Sequence, residues 1–210
     1  MVTLTGPRQS GKTTLVRSVF GDYAYVSLDQ PDHRRFALED PRGFLGQFKS
    51  PVILDEAQRA PELFSYIQTI VDDRPARPGR FILAGSQNFL LLESIAQSLA
   101  GRCAVLHLLP LSLAELCGRR PLLLDTLGRR LPKSAVPPAR GVLETLHAGF
   151  YPRIHDRGLA ARDWLAGYYR TYVERDVRQV LNLGDLETFG RFTRLCAGRC
   201  GQLVNLVGLA

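Results

Sequence analysis

The stretch Gly6 to Thr13, read as G-P-R-Q-S-G-K-T, constrains this chain more than any other. Ahead of it, Met1-Val2-Thr3-Leu4-Thr5 is short, apolar and β-rich, which predicts a strand. Behind it, Lys12 to Phe20 reads as a helix with Leu15, Val16 and Val19 on one face, ended by Gly21-Asp22. Strand, glycine-rich bend and helix start are the setting in which G-x-x-x-x-G-K-[ST] acts as a phosphate-binding loop. The glycines let the backbone turn and approach an anion closely. Amides from Gln9 to Thr14 would then face the phosphates, helped by the helix dipole. The expected nucleotide-binding residues are Gly6, Pro7, Arg8, Gln9, Ser10, Gly11, Lys12, Thr13 and Thr14. Lys12 would reach the β- and γ-phosphates as a point charge, and the Thr13 hydroxyl would hold Mg²⁺.

A second signal lies downstream, after a further strand at Tyr23 to Leu28 and two short helices, broken at Pro41, between Pro31 and Gly46. Pro51-Val52-Ile53-Leu54-Asp55-Glu56 is an apolar run closed by two acids, the pattern of a strand in a covered parallel sheet. Ligands of such sheets sit beyond the carboxyl ends of the strands, so Asp55 would lie beside the loop as partner of Mg²⁺ or its waters. Glu56, one residue further, could polarise a water for attack on the γ-phosphate.

Pro61 to Asp73 is amphipathic, with Leu63, Tyr66, Ile67, Ile70 and Val71 as its inward stripe. A fourth strand, Arg80 to Ala84, ends in Gly85-Ser86-Gln87-Asn88. Ser86 is the candidate sensor of the γ-phosphate or water, with Gln87 and Asn88 as rivals; capping the helix expected from Phe89 to Ala100 is an equal reading. Arg102, just before a fifth strand at Cys103 to Leu109, could stabilise transition-state charge in its own subunit or a neighbour's. A surface arginine at a helix end is the equal alternative.

The formal net charge of +7 suits partners that carry phosphate, although base composition of the genome could equally explain a surplus that is almost all arginine. Lysine occurs only at 12, 49 and 133. Cys103, Cys117, Cys196 and Cys200 lack the spacing and neighbouring histidines of a zinc site and read as reduced thiols. With no signal peptide and no apolar run of membrane-spanning length, a cytoplasmic location is expected.

Residues 118–140 form a connector rich in Arg, Pro and Leu, with room for one short helix. Beyond Gly141 the pattern is helical: Val142 to Ala148, a turn over Gly149-Phe150-Tyr151-Pro152, a long helix from Asp163 to Leu183, and another from Leu186 to Gly198. Trp164, Tyr168, Tyr169, Tyr172 and Val173 are spaced as a packing face, and Glu174-Arg175-Asp176 as a solvated one.

The chain resembles prokaryotic AAA-type P-loop ATPases. The resemblance rests on G-P-R-Q-S-G-K-T-T at 6–14, P-V-I-L-D-E-A-Q at 51–58, A-G-S at 84–86, L-A-G-R at 99–102 and L-P-L-S at 109–112. In that family a helical domain of unknown function that includes a winged helix usually follows. G-F-Y-P-R at 149–153, Y-Y-R-T-Y-V-E-R-D-V at 168–177 and G-Q-L-V-N-L at 201–206 are similar to it. The resemblance implies an α/β P-loop NTPase fold of the additional-strand, RecA- and AAA-like kind, over residues 1–117, and a helical partial domain over 141–210. It places the strand from Arg80 between those at Val2 and Asp55. It also carries roles onto Lys12, Thr13, Asp55 and Glu56, and with less force onto Ser86 and Arg102. Family members usually have an N-terminal lead-in and a complete winged helix, so this sequence reads as truncated at both ends. ATP is preferred to GTP only by that resemblance.

The leading expectation is an Mg²⁺-dependent ATPase or ATP-driven switch, with a DNA or protein partner and a homo-oligomer left open. A P-loop kinase would need an acceptor pocket that nothing in the sequence marks. A nucleotide-regulated DNA-binding module is supported by the basic charge, though no recognition helix lies within these residues.

Overall fold

Strands β1 (Val2–Thr5), β2 (Ala24–Ser27), β3 (Val52–Asp55), β4 (Phe81–Ala84) and β5 (Ala104–His107) pair in parallel in the order β2-β3-β4-β1-β5. The computed structural model describes residues 1–49, 51–73, 79–86, 98–119, 141–173 and 186–203. β4 lies between β1 and β3, the additional-strand arrangement that the resemblance implies.

Two of the three interior strands, β3 and β4, explain themselves. V-I-L-D and F-I-L-A are buried at every position, because a parallel sheet is covered on both faces. Alternate residues part to the two sides. Val52, Leu54, Phe81 and Leu83 join Phe44, Leu45, Leu63, Phe64 and Ile67 in the larger cluster, while Ile53 and Ile82 join Leu4 and Val16 in the smaller one. Each such fully buried side chain contributes about 1.5–3 kcal/mol.

Helix α1 (Lys12–Val19) covers the smaller cluster. Only Val16 of its expected stripe is buried; Leu15 and Val19 are 39% and 61% exposed. Val16 points at the strands, and the other two stand about 100° and 60° round the helix from it, both on the same side, beyond the narrow contact. Helices α2 (Pro31–Glu39) and α3 (Pro41–Gly46) are divided at Pro41, as expected, and the Asp40 side chain caps α3 by accepting from the Gly43 amide at 2.9 Å. Helix α4 (Leu63–Asp72) buries Leu63, Phe64 and Ile67, with Tyr66, Ile70 and Val71 packed at the margin. The helix expected over Phe89 to Ala100 lies outside the described residues save for its last three.

After β5 a four-residue helix, α5 (Leu113–Leu116), is closed by a capping box: Ser112 Oγ accepts from the Glu115 amide at 3.2 Å, and Glu115 Oε2 from the Ser112 amide at 2.7 Å. The sequence expectation puts a short helix later, within residues that are not described. Helix α6 (Val142–Ala148) matches its expected span. The turn expected to end at Pro152 instead starts a helix there, α7 (Pro152–Asp156), with proline at its first position, where a missing N–H costs nothing. Helix α8 (Ala161–Tyr168) begins two residues before the expected one and passes into a π-helical turn, Tyr169–Val173. The Glu174-Arg175-Asp176 face lies outside the described residues.

The chain divides into two compact units, Met1–Trp164 and Leu165–Ala210. The second contains α9 (Leu186–Gly198), against which the Tyr169 hydroxyl meets Thr193 Oγ1 at 3.0 Å. Cys196 and Cys200 are free and exposed; Cys103 and Cys117 are free and half-buried.

Candidate functional site

The loop after β1 is shaped by three residues at positive φ: Gly6 (147°), Gln9 (60°) and Gly11 (97°). Gly6 is held by a close approach rather than by the turn alone. A Cβ there would lie 2.1 Å from the Leu108 carbonyl oxygen, and the Leu108 amide donates to Thr5 O at 2.8 Å. The loop therefore starts against the outgoing end of β5. At its far end Gly11 serves as N-cap of α1. Ser10 is buried, and its hydroxyl oxygen has no hydrogen-bond partner among the described residues.

Lys12 curls back over this loop. Its Nζ donates to Gly6 O at 3.0 Å and Pro7 O at 2.7 Å, with only 6% of the residue exposed. Burial pushes its pKa below the ordinary 10.5; Glu56 and then Asp55 push it back up, and Arg8 adds to the lowering. Both acids therefore stand close enough to Lys12 to act on it electrostatically.

Asp55 ends β3, itself buried, and both of its carboxylate oxygens accept hydrogen bonds. Oδ2 accepts from Thr13 Oγ1 at 2.7 Å and from the Tyr25 hydroxyl at 2.8 Å, while Oδ1 accepts from the Glu56 amide at 3.0 Å. Strand register explains the tyrosine. Tyr25 pairs with Ile53, and the two-residue period puts Tyr25, Ile53 and Asp55 on the face that α1 covers. Burial first, and then the bond to Asp55, pushes the Tyr25 pKa up to about 12, so the hydroxyl stays a donor at neutral pH. The Arg17 guanidinium sits over the ring, 4.8 Å from its centroid.

Glu56 adopts the left-handed conformation (φ 54°, ψ 41°), uncommon for a residue with a side chain and costing about 1–3 kcal/mol. It opens a single 3-10 turn, Ala57–Arg59. The turn brings Gln58 round so that its Nε2 donates to Glu56 Oε2. Because a carboxylate only accepts, the amide nitrogen must face it, which turns Gln58 Oε1 away; that oxygen is buried without a partner among the described residues.

Ser86 is buried just past β4, at the same carboxyl edge of the sheet as Lys12 and Asp55. Gln87 and Asn88 lie outside the described residues. Arg102 does not join this group. Its carbonyl accepts from the Met1 amine at 3.1 Å, at the amino edge of the sheet, and its guanidinium grips Asp72 and the Ala100 carbonyl. The length of β1, about 13 Å, separates that edge from the loop. A residue immediately before a strand parallel to β1 must enter at this edge, so the same-subunit role expected for Arg102 does not fit the fold.

The segment from Phe150 also borders the loop. Leu111 N donates to Phe150 O at 2.9 Å, and Pro152 Cγ would lie 3.9 Å from a Cβ on Gly11. The Tyr151 and Trp164 rings pack with centroids 5.1 Å apart. Tyr25, Gln58, Leu108 and Pro152 are thus neighbours of the site that the sequence reading did not single out. Gln58 lay in the D-E-A-Q run and Pro152 in G-F-Y-P-R, while Tyr25 and Leu108 depend on register.

Residues 1–117 match a family model described as an AAA domain, and residues 140–210 match a domain of unknown function, DUF8612. Relatives include the uncharacterised proteins Mb2031c of Mycobacterium bovis and Rv2008c of Mycobacterium tuberculosis, each 32% identical over 213 aligned residues. Each alignment takes in the whole of this chain but 43% of the relative, so the chain spans less than half the length of these proteins. No helix among the described residues is long and apolar enough to cross a membrane. With an all-parallel additional-strand sheet, a glycine-bounded loop after its first strand and a family match across residues 1–117, the chain belongs to the AAA domain family.

Proposed function

We propose that this chain binds ATP with Mg²⁺ and hydrolyses it, as an ATPase or ATP-driven switch acting on a protein or nucleic-acid partner. The observation that carries this reading is the convergence of Lys12, Thr13, Asp55 and Glu56 at one edge of the sheet. The loop residues 6–14 would wrap the phosphates with main-chain amides, and the buried Ser10 hydroxyl, without a partner among the described residues, adds a donor there. Lys12 would exchange its two carbonyl acceptors for phosphate oxygens, a swap that restores the charge its burial disfavours.

The donor set fits the metal: the Thr13 hydroxyl and the Asp55 carboxylate are hard oxygen groups already 2.7 Å apart. Thr13 would be the direct ligand and Asp55 would hold the metal's waters; when bound, Mg²⁺ supplies charge neutralisation of the phosphates. Glu56, tethered by Gln58, would accept the proton of the attacking water. The water oxygen bonds to the γ-phosphorus as the bond to the β–γ bridging oxygen breaks, and ADP carries away that electron pair. Ser86, at the same edge, is the proposed sensor of the γ-phosphate. Arg102 could act only on a neighbouring copy's nucleotide, after leaving Asp72.

A second reading, a nucleotide-regulated DNA-binding module, draws on the +7 formal charge. Phosphate release without any added acceptor, measured beside Glu56→Gln, tests the first. Glu56→Gln should bind ATP as tightly as the wild type while turning over about 100-fold more slowly. Turnover equal to the wild type's would remove the water-activation role. Duplex DNA binding with a steep salt dependence and no phosphate release would favour the second.

A further inference from the structure

We propose that Tyr25 is a positioning residue for the magnesium shell of the bound nucleotide, acting through Asp55. This rests on the ATP reading above and deepens it. Asp55 Oδ2 receives two hydroxyl donors, Thr13 from α1 and Tyr25 from β2, so the carboxylate is held from both sides of the groove between helix and sheet. The Glu56 amide fixes Oδ1. With three donors the carboxylate plane has one orientation, and only lone pairs not used by those donors remain for the waters of a cation bound at Thr13. Removing the Tyr25 hydroxyl leaves Oδ2 with Thr13 alone, and Thr13 is the residue that must also turn its oxygen to the metal.

Tyr25 is suited to hold rather than to fill. Its ring is fixed from outside by the Arg17 guanidinium, 4.8 Å from the ring centroid, and on its own strand it lies in register with Ile53 beneath α1. Filling that space would need only phenylalanine; the hydroxyl reaches Asp55 Oδ2, with the Ser27 side chain as a second hydrogen-bonding neighbour. Tyr25 touches neither phosphate nor the attacking water in this account. Its effect should appear only in what Mg²⁺ adds.

The test is binding of a fluorescent ATP analogue to the full chain with Mg²⁺ and with EDTA. The wild type is compared with Tyr25→Phe, Asp55→Asn and the double variant. Tyr25→Phe should bind as the wild type does in EDTA and lose about tenfold of the tightening that Mg²⁺ brings, the scale of a hydrogen bond to a charged group. In the Asp55→Asn background the tyrosine change should do nothing further, because the two act as one unit. Arg17→Ala, which frees the ring but keeps the hydroxyl, should show a smaller loss in the same quantity, and this arm stands even where Tyr25→Phe folds poorly. Equal losses with and without Mg²⁺, or losses that add across the double variant, would mark Tyr25 as structural only and overturn the proposal. A wild type that binds with the same Mg²⁺ dependence as Tyr25→Phe overturns this inference alone. A wild type that binds no nucleotide overturns the ATP reading with it.

Discussion

Gly6→Ala tests how the phosphate loop is anchored to the sheet. The added Cβ would fall 2.1 Å from the Leu108 carbonyl oxygen, whereas ordinary contact begins near 3.4 Å, so the two backbones must part by more than 1 Å. Neither side is a flexible side-chain tip. The alanine must also hold a φ of +147°, a cost of about 1–3 kcal/mol. Parting the strands strains the bond from Leu108 N to Thr5 O, worth about 0.5–1.5 kcal/mol. Together the loss is about 2–4 kcal/mol. Urea unfolding without nucleotide reads it as a midpoint lowered by about 1–2 M for a typical slope. The folded fraction should also bind ATP more weakly, because the first residue of the loop has moved. A change below about 0.5 kcal/mol would show that the loop tolerates a side chain there, and the account of why Gly6 opens the motif would fail.

Two other predictions follow from the same geometry. Gln58→Ala frees the Glu56 carboxylate and should slow turnover about tenfold while leaving ATP affinity unchanged; a matching loss of affinity would make Gln58 a binding residue instead. Burial lowers the Lys12 pKa below 10.5, so between the folded value and 10.5 the unfolded chain holds more protons at this site. The wild type should therefore gain stability relative to Lys12→Met as pH rises through that interval, measured by urea unfolding. A difference that stays flat, or falls, would contradict the buried placement.

The parts of this fold that could be read from the sequence are those written in consecutive residues. β3 and β4 stand out because a strand covered on both faces reads as an apolar run, broken in β3 only by Asp55 at its carboxyl end, and the break at Pro41 because proline cannot continue a helix. The glycine loop and the Asp55-Glu56 pair were legible for the same reason: their spacing along the chain is their geometry. The stripe expected on α1 is wider than the buried one, since three apolar residues on one side do not say how wide the surface beneath them is. Helix α5 is too short to show a hydrophobic period, and its one signal in the sequence is the capping pair Ser112 and Glu115. The bond between Tyr25 and Asp55 was beyond reach, because it depends on which residue of β2 lies beside Ile53, and register is a property of two strands. The position of Arg102 was within reach: parallel strands share an amino edge, and a residue just ahead of β5 cannot stand at the carboxyl one.

The most direct measurement is titration of Mg·ATP against the purified chain beside Lys12→Ala. Saturable binding of one nucleotide per chain by the wild type, lost in the variant, is the predicted result. Absence of saturation in a folded wild type, or equal affinity in Lys12→Ala, would contradict the claim that this loop holds a triphosphate.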